Sequence, residues 1–459
     1  MKIEPIGLVT LAIGLICLAL DYRAAAVIFV VSTLFGSAAA VLIGSANIQP
    51  AHLFLAFITA VALTRSREVV ATFKAVTPPQ PGFWLACLLF YGLISAFVLP
   101  RLLAGATEIV PLGTSEYPDT GTTVPLGPVS SNLTQSIYMT ADVLCFAMIV
   151  AIASTRAGFD AITRALIAYA AANVFFAALD LVTYNTGTQA VLEFMRNAQY
   201  TLHNEEEING LKRIVGSFTE ASAFARSALG AFAFTGTLWL CGRHPVWTGP
   251  LALASFLLVV LSTSSTGLAG APVVLMLLFI TAVQYTLRHG RPQSGATVLL
   301  GPPVAVIAVL LLLVNSEALA TVLDYINVVV LNKSNTSSGI ERASWNTTGL
   351  QNFVDSWGFG VGLGTSRTSG QVFALLSNVG VLGTFFYCMF LLSAFVKQRG
   401  TPGSYPTDVR IAARNACVGL FVGDLLVSST VDQGLFFYIL AGLASAEPER
   451  DTEDAEAYV

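Results

Sequence analysis

ATVLLGPPVAVIAVLLLLVN, residues Ala296–Asn315, runs twenty positions without one charged side chain. A bilayer's hydrocarbon core takes about 20 residues of helix to cross, so this stretch reads as a membrane span. Outward from it the pattern repeats. Apolar runs of similar character lie near Ile6–Leu20, Ala24–Ala46, Ala51–Thr64, Phe83–Leu99, Ser136–Ser154, Ala165–Tyr184, Ala221–Cys241, Gly249–Ser262 and Gly267–Thr286. After Asn315 they resume at Val372–Val396, Ile411–Ser428 and Gln433–Ala446. The expectation is an all-α, polytopic bundle of about 12–13 transmembrane helices. Residues 1–446 form one domain on this reading, and the acidic segment 447–459 is a disordered tail.

Composition agrees. Of 459 residues, 23 are Lys or Arg and 27 Asp or Glu, so 11% are charged where a soluble chain averages about a quarter. With 55% hydrophobic residues and a mean hydropathy of +0.72, the chain lacks the polar surface for two or three soluble domains. A net charge of −4 excludes a nucleic-acid surface, which needs clustered basic residues. The six cysteines stand singly in apolar runs with no CxxC spacing, which suits packing residues better than disulfides or metal ligands.

Lys and Arg in short loops set the orientation. Arg65, Arg67, Lys74, Arg156, Arg243, Arg288, Arg291, Lys397 and Arg399 gather on one side, which is expected to be cytoplasmic. The opposite side carries three long loops, Pro100–Gln135, Asn185–Glu220 and Ser316–Gln371, so the working face is expected to be the outer one. Residues 316–371 are its main loop and 185–220 the second.

Within the main loop, Ile340–Phe353 puts Trp345, Leu350 and Phe353 at helical spacing. Gly358, Gly360, Gly362 and Gly364 then alternate with apolar residues, and Arg367 follows among the hydroxyls of Thr365, Ser366, Thr368 and Ser369. Such a loop can expose N–H groups as an anion-binding nest, or serve as a plain connector. Leu211–Arg226 supplies Lys212, Arg213, Glu220 and Arg226 at a span entrance, where Arg226 is expected to pair with Glu220 unless it faces a ligand. Asp142, Asp180 and Asp424 lie inside spans, as structural carboxylates or as an ion relay. His203 beside Glu205–Glu207 is a weak metal candidate, better read as a solvated acidic run. Asn132, Asn332, Asn335 and Asn346 each begin an N-x-[ST] sequon.

Three stretches in order, RIVGSFTEASAFA (Arg213–Ala225), LSTSSTGLAGAPVVLMLL (Leu261–Leu278) and the R-x-x-W plus G-x-G-x-G core from Arg342 and Trp345 to Gly364, resemble the O-antigen polymerase and O-antigen ligase family of bacterial envelope proteins. The resemblance covers about half of the chain. It implies an inner-membrane glycosyltransferase whose donor is a saccharide on undecaprenyl diphosphate, working without metal or cofactor, beside membrane lipid and with chain-length-control and export proteins as partners. Arg213 and Arg342 match the family's paired loop arginines; Arg367 joins them as a diphosphate-binding candidate. Glu220, then Glu341, are the candidates for the base, and Trp345, Gly360, Gly362 and Gly364 shape the loop. The ligase branch carries a histidine after the glycines, where this chain reads TSGQVFALL, so the polymerase branch is the expectation. A ligase, or a secondary transporter built on the intramembrane carboxylates, is the alternative.

Overall fold

In the computed structural model, residues 2–19, 22–43, 46–112, 122–198, 207–208, 211–329 and 336–449 are described. Helices account for nearly all of them: α1 (Pro5–Ala19), α2 (Tyr22–Ser32), α3 (Pro50–Leu63), α4 (Ser66–Ala75), α5 (Pro81–Leu102), α6 (Ser130–Ile152), α7 (Arg156–Thr186), α8 (Ala221–Leu240), α9 (Pro245–Leu261), α10 (Ser265–His289), α11 (Pro292–Val314), α12 (Ser316–Val329), α13 (Ser337–Asp355), α14 (Gln371–Phe395), α15 (Tyr405–Val427) and α16 (Leu435–Ser445). Six of these, α5, α6, α7, α10, α11 and α14, are long and apolar enough to cross a membrane. The protein is an all-α, multi-pass membrane bundle.

Every apolar run expected to span holds a helix, but Ala24–Ala46 holds only half of one. Helix α2 stops at Ser32, and Val41–Ile43 pairs with both Lys2–Ile3 and Ala46–Ile48 in a small antiparallel sheet. Hydrophobicity misleads here because Ser37 turns the chain: its hydroxyl reaches the carbonyls of Met195 and Ser217. The main loop is likewise more ordered than a loop, since α12 and α13 occupy much of it.

The centre of the bundle is α8. Its sequence, ASAFARSALGAFAFTGTLWL, is rich in small residues, and nearly all of them are buried against α9, α10 and α15. Small side chains let helix backbones approach, the usual basis of packing where no water drives association. A Cβ on Gly230 would stand 2.8 Å from Leu420, and one on Gly236 2.9 Å from Leu278. At the other extreme, α11 buries only Ser294 and presents its apolar side chains outward.

The bundle's two ends differ. One is closed by ion pairs that include Arg243 with Asp408 (2.7 Å), Arg164 with Asp160 (2.6 Å) and Arg410 with Glu449 (2.6 Å). Glu447 and Glu449 therefore belong to the folded body, Glu447 lying 3.4 Å from Arg399; the rest of the acidic tail, 450–459, lies outside the described residues. The opposite end is closed by the glycine-rich loop that follows α13.

That loop decides how α14 is built. At Gly380 (φ 58°, ψ −160°) the helix breaks, which releases the carbonyls of the preceding turn. Val361 N–H donates to Ser377 O (2.8 Å), Gly362 N–H to Asn378 O (2.9 Å), and Val381 N–H returns to Gly358 O (2.8 Å). Further along, Gly360 N–H is taken by Ser356 Oγ, Leu363 N–H by Ser95 Oγ and Ser366 N–H by Asn378 Oδ1. Of the two readings the glycine spacing left open, anion-binding nest or connector, the hydrogen bonds favour the connector: these N–H groups are spent inside the protein. What requires glycine is closeness and a positive φ. Gly360, Gly362 and Gly364 have φ of 81°, 106° and 77°, and a Cβ would come within 2.7 Å of Asn378 O, 2.7 Å of Ser95 O and 2.6 Å of Ser131 O respectively.

Gly362→Ala combines a left-handed backbone with a backbone clash, so it should cost more than the ~1–3 kcal/mol of strain alone. Thermal unfolding of the detergent-purified protein should drop by several degrees, whereas Gly295→Ala, where a Cβ meets nothing within 4 Å, should leave the transition in place. Equal melting of the two variants would show that the loop is not packed this way.

Candidate functional site

The sequence candidates converge on the end of the bundle capped by the glycine loop. Helix α13 enters through its N-cap Thr336, whose hydroxyl accepts Gly339 N–H, and turns Trp345, Gly349 and Asn352 inward. Leu350, grouped with Trp345 by spacing, points outward instead and is exposed. Asn346 holds the helix to the loop in both directions, receiving Ser369 N–H (2.7 Å) and donating to Ser369 O (2.8 Å). Asn352 donates to Glu108 O (2.6 Å). On the other side of the loop Asn132 donates to Leu363 O and Thr365 Oγ1, both at 2.8 Å. Two of the sequon asparagines are therefore fasteners of the site; Asn332 and Asn335 lie outside the described residues, as do His203, Glu205 and Glu206.

On this scaffold Arg342 approaches Glu220 at 3.9 Å, both side chains partly exposed. Glu220 also accepts the hydroxyl of Ser222. Arg367 lies flat over Trp345, its guanidinium carbon 4.0 Å from the ring centroid, while its own N–H donates to Val110 O (2.7 Å). Cation–π stacking orients the guanidinium without consuming its N–H donors. Its Nε and the Trp345 Nε1 are buried and meet no hydrogen-bond partner among the described residues. Burial pushes the Arg367 guanidinium below its usual range and Arg342 adds to this; Glu341 and Glu220 oppose it. Arg342, Arg367, Glu220 and Glu341 thus form one electrostatic group.

Arg213 sits on the neighbouring segment, half-buried, and its position is fixed through Asp180. That carboxylate accepts Val215 N–H (2.9 Å) and Gly216 N–H (3.0 Å), pairs with Arg196 (2.7 Å) and has Lys212 at 3.8 Å. Asp180 is a structural hub for the segment leading from Lys212 to Glu220. Lys212 is consequently not a snorkelling side chain but a buried one, 5% exposed, above the Tyr184 ring.

Arg226 departs from expectation. Its partner is Asp424 of α15, held by two hydrogen bonds, with Gln433 O (2.8 Å) as a third acceptor. Glu220, the partner expected from proximity in sequence, is left to Arg342. Gln433 completes the set by donating to Asp424 (2.8 Å) and accepting the Tyr387 hydroxyl (2.6 Å). Sequence spacing could not have found this, because the partners are 198 residues apart. Of the three intramembrane carboxylates, Asp180 and Asp424 are neutralised by arginines; Asp142 is fully buried and has a second carboxylate, Asp432, as its neighbour. Among the described residues no three His, Cys, Asp or Glu side chains gather as metal ligands.

The fold and this site define a multi-pass helical membrane protein with two arginines and two carboxylates grouped at one end. No family model matches the chain, and no curated protein does.

Asp424→Ala should strand Arg226 without its counter-charge and cost roughly 3–5 kcal/mol. The double variant Arg226→Leu/Asp424→Leu should melt above either single variant, since removing both charges removes the desolvation problem. Additive losses in such a cycle would mean the two residues do not interact.

Proposed function

We propose that the protein is an inner-membrane glycosyltransferase that polymerises oligosaccharide repeat units carried on undecaprenyl diphosphate. The observation that carries this reading is the group of Arg342, Arg367 and Glu220 at the mouth of an apolar bundle. Two guanidiniums offer planar forks to phosphate oxygens, a carboxylate stands within reach to take a proton, and hydrocarbon surrounds the helices below. A lipid diphosphate needs all three.

In the proposed reaction an acceptor hydroxyl oxygen attacks the anomeric carbon of the donor saccharide. The carbon–oxygen bond to the diphosphate breaks, and the lipid diphosphate leaves with the electron pair. Arg342 and Arg367, together with Arg213 of the segment leading to Glu220, stabilise the growing negative charge on the leaving group. The hydroxyl's proton passes to Glu220 or, behind it, Glu341. Glu220 lies 3.9 Å from Arg342, so acid–base and anion-binding groups stand together; Glu341 is exposed one residue before Arg342.

The acceptor distinguishes polymerase from ligase, and the missing histidine after the glycines supports the polymerase. A carrier gains less support, because Asp180 and Asp424 are tied into ion pairs where a relay needs carboxylates free to titrate.

Replacing Arg213, Arg342 or Arg367 by alanine should slow polymer formation from a purified lipid-diphosphate repeat unit about 30- to 1000-fold, corresponding to ~2–4 kcal/mol of lost stabilisation. Lysine should rescue poorly, for want of the fork. Arg101→Ala, an exposed side chain bonded to Phe97 O, should be nearly silent. Near-normal chain growth in both Arg213→Ala and Arg342→Ala would defeat the reading.

Lys and Arg crowd the opposite end, which supports an outward-facing site. A cysteine at Ser337 should react with a membrane-impermeant thiol reagent in intact spheroplasts, and one at exposed Thr401 should not. The reverse pattern would put the site in the cytoplasm.

A further inference from the structure

The stretch LSTSSTG, Leu261–Gly267, has no part in the clamp, yet it holds three buried hydroxyls without a hydrogen-bond partner among the described residues. It forms the turn into α10. Ser264 is the N-cap residue, a position where serine ordinarily accepts an N–H of the first turn; here its side chain makes no capping bond. Its hydroxyl is buried without a hydrogen-bond partner among the described residues, and so are those of Thr263 and Thr266. The three residues are 0%, 5% and 1% exposed. A helix's first N–H groups have no acceptor within the helix, so a 25-residue helix begins here with buried donors from both backbone and side chains. Leaving such groups unmade in a membrane interior costs several kcal/mol each.

This helix start is next to the candidate site. A Cβ on Gly267 would lie 3.2 Å from that of Ala225, which packs the first turn of α10 on the first turns of α8. Ala225 is five residues along α8 from Glu220, about 7–8 Å of rise. The α10 terminus therefore packs against the first turns of the helix that Glu220 caps.

We propose that the N-terminus of α10 is an oxyanion site that takes a phosphate group, with Ser264 and Thr266 as hydroxyl donors beside the first-turn N–H groups. A tetrahedral anion supplies what the turn lacks: several acceptor oxygens and a negative charge for the positive end of the helix dipole. The same chemistry is offered by a lipid phosphate headgroup and by free phosphate. Only the assignment of this phosphate as the second one of a donor diphosphate, the first being held by the arginines, rests on the glycosyl-transfer reading.

The test is calorimetric titration of the full-length protein in detergent with inorganic phosphate, inorganic pyrophosphate and farnesyl diphosphate. Ser264→Ala and Thr266→Val, each eluting as a single folded species, should weaken binding about tenfold or more. Ser255→Ala, which removes an equally buried and unpartnered hydroxyl in the middle of α9, should bind as wild type. Tighter binding of farnesyl diphosphate than of pyrophosphate, lost in the two variants, assigns the site to a lipid headgroup; equal binding assigns it to free phosphate. Undiminished binding in both variants, or no binding of any probe to the wild type, overturns the proposal. Binding is measured without turnover, so absence of polymerisation alongside a variant-sensitive phosphate site would sink the glycosyl-transfer reading and leave this one standing.

Discussion

Backbone hydrogen bonding is the constraint on which this structure turns. Inside a bundle surrounded by hydrocarbon, an N–H or C=O without a partner has no water to fall back on, so an irregular segment can enter only where something else is broken to receive it. The break in α14 at Gly380 frees the carbonyls of Ser377 and Asn378, and the loop Gly358–Gly370 supplies the N–H groups that fill them. Each irregularity satisfies the other. The asparagines complete the arrangement because a carboxamide both donates and accepts: Asn378 bridges Ser366 in two directions, and Asn346 does the same for Ser369. Arg367 is thereby placed on a rigid element although it belongs to a loop.

Charges obey a similar rule. Arg226 with Asp424, Arg196 with Asp180 and Arg243 with Asp408 each join parts of the chain that the hydrophobic pattern alone would leave free to slide. A buried pair of this kind adds little net stability over an apolar replacement but fixes one arrangement. Here it fixes the register of α15 on α8 and the path of the segment from Lys212 to Glu220, and so the placement of two candidate site residues.

Much of this was legible in the sequence, at the level of segments. Hydrophobic length located the helices because crossing hydrocarbon imposes a length on each; Glu220 stood out as a charge at a span's entrance, Arg367 as the cation following the glycines, and Arg342 only through the family resemblance. Three things were hidden. Ala24–Ala46 is apolar throughout, so nothing in its composition marks the turn that Ser37 makes against distant carbonyls. Arg226 was assigned to the nearer carboxylate because sequence separation was the only distance available. The glycines left nest and connector both open because their spacing reports conformational freedom, but which acceptor takes each N–H depends on a break in another helix.

The difference between satisfied and unsatisfied donors separates scaffold from site. In the glycine loop nearly every N–H has a named acceptor inside the protein, so the loop positions a ligand without binding it through the backbone. Arg367 Nε, Trp345 Nε1 and, at the start of α10, the hydroxyls of Ser264 and Thr266 are buried with none among the described residues. Buried donors without an acceptor are the ground on which the phosphate proposal stands. A multi-oxygen anion is the acceptor proposed there, because it carries the charge that suits the positive end of a helix and offers oxygens to hydroxyl and N–H donors alike.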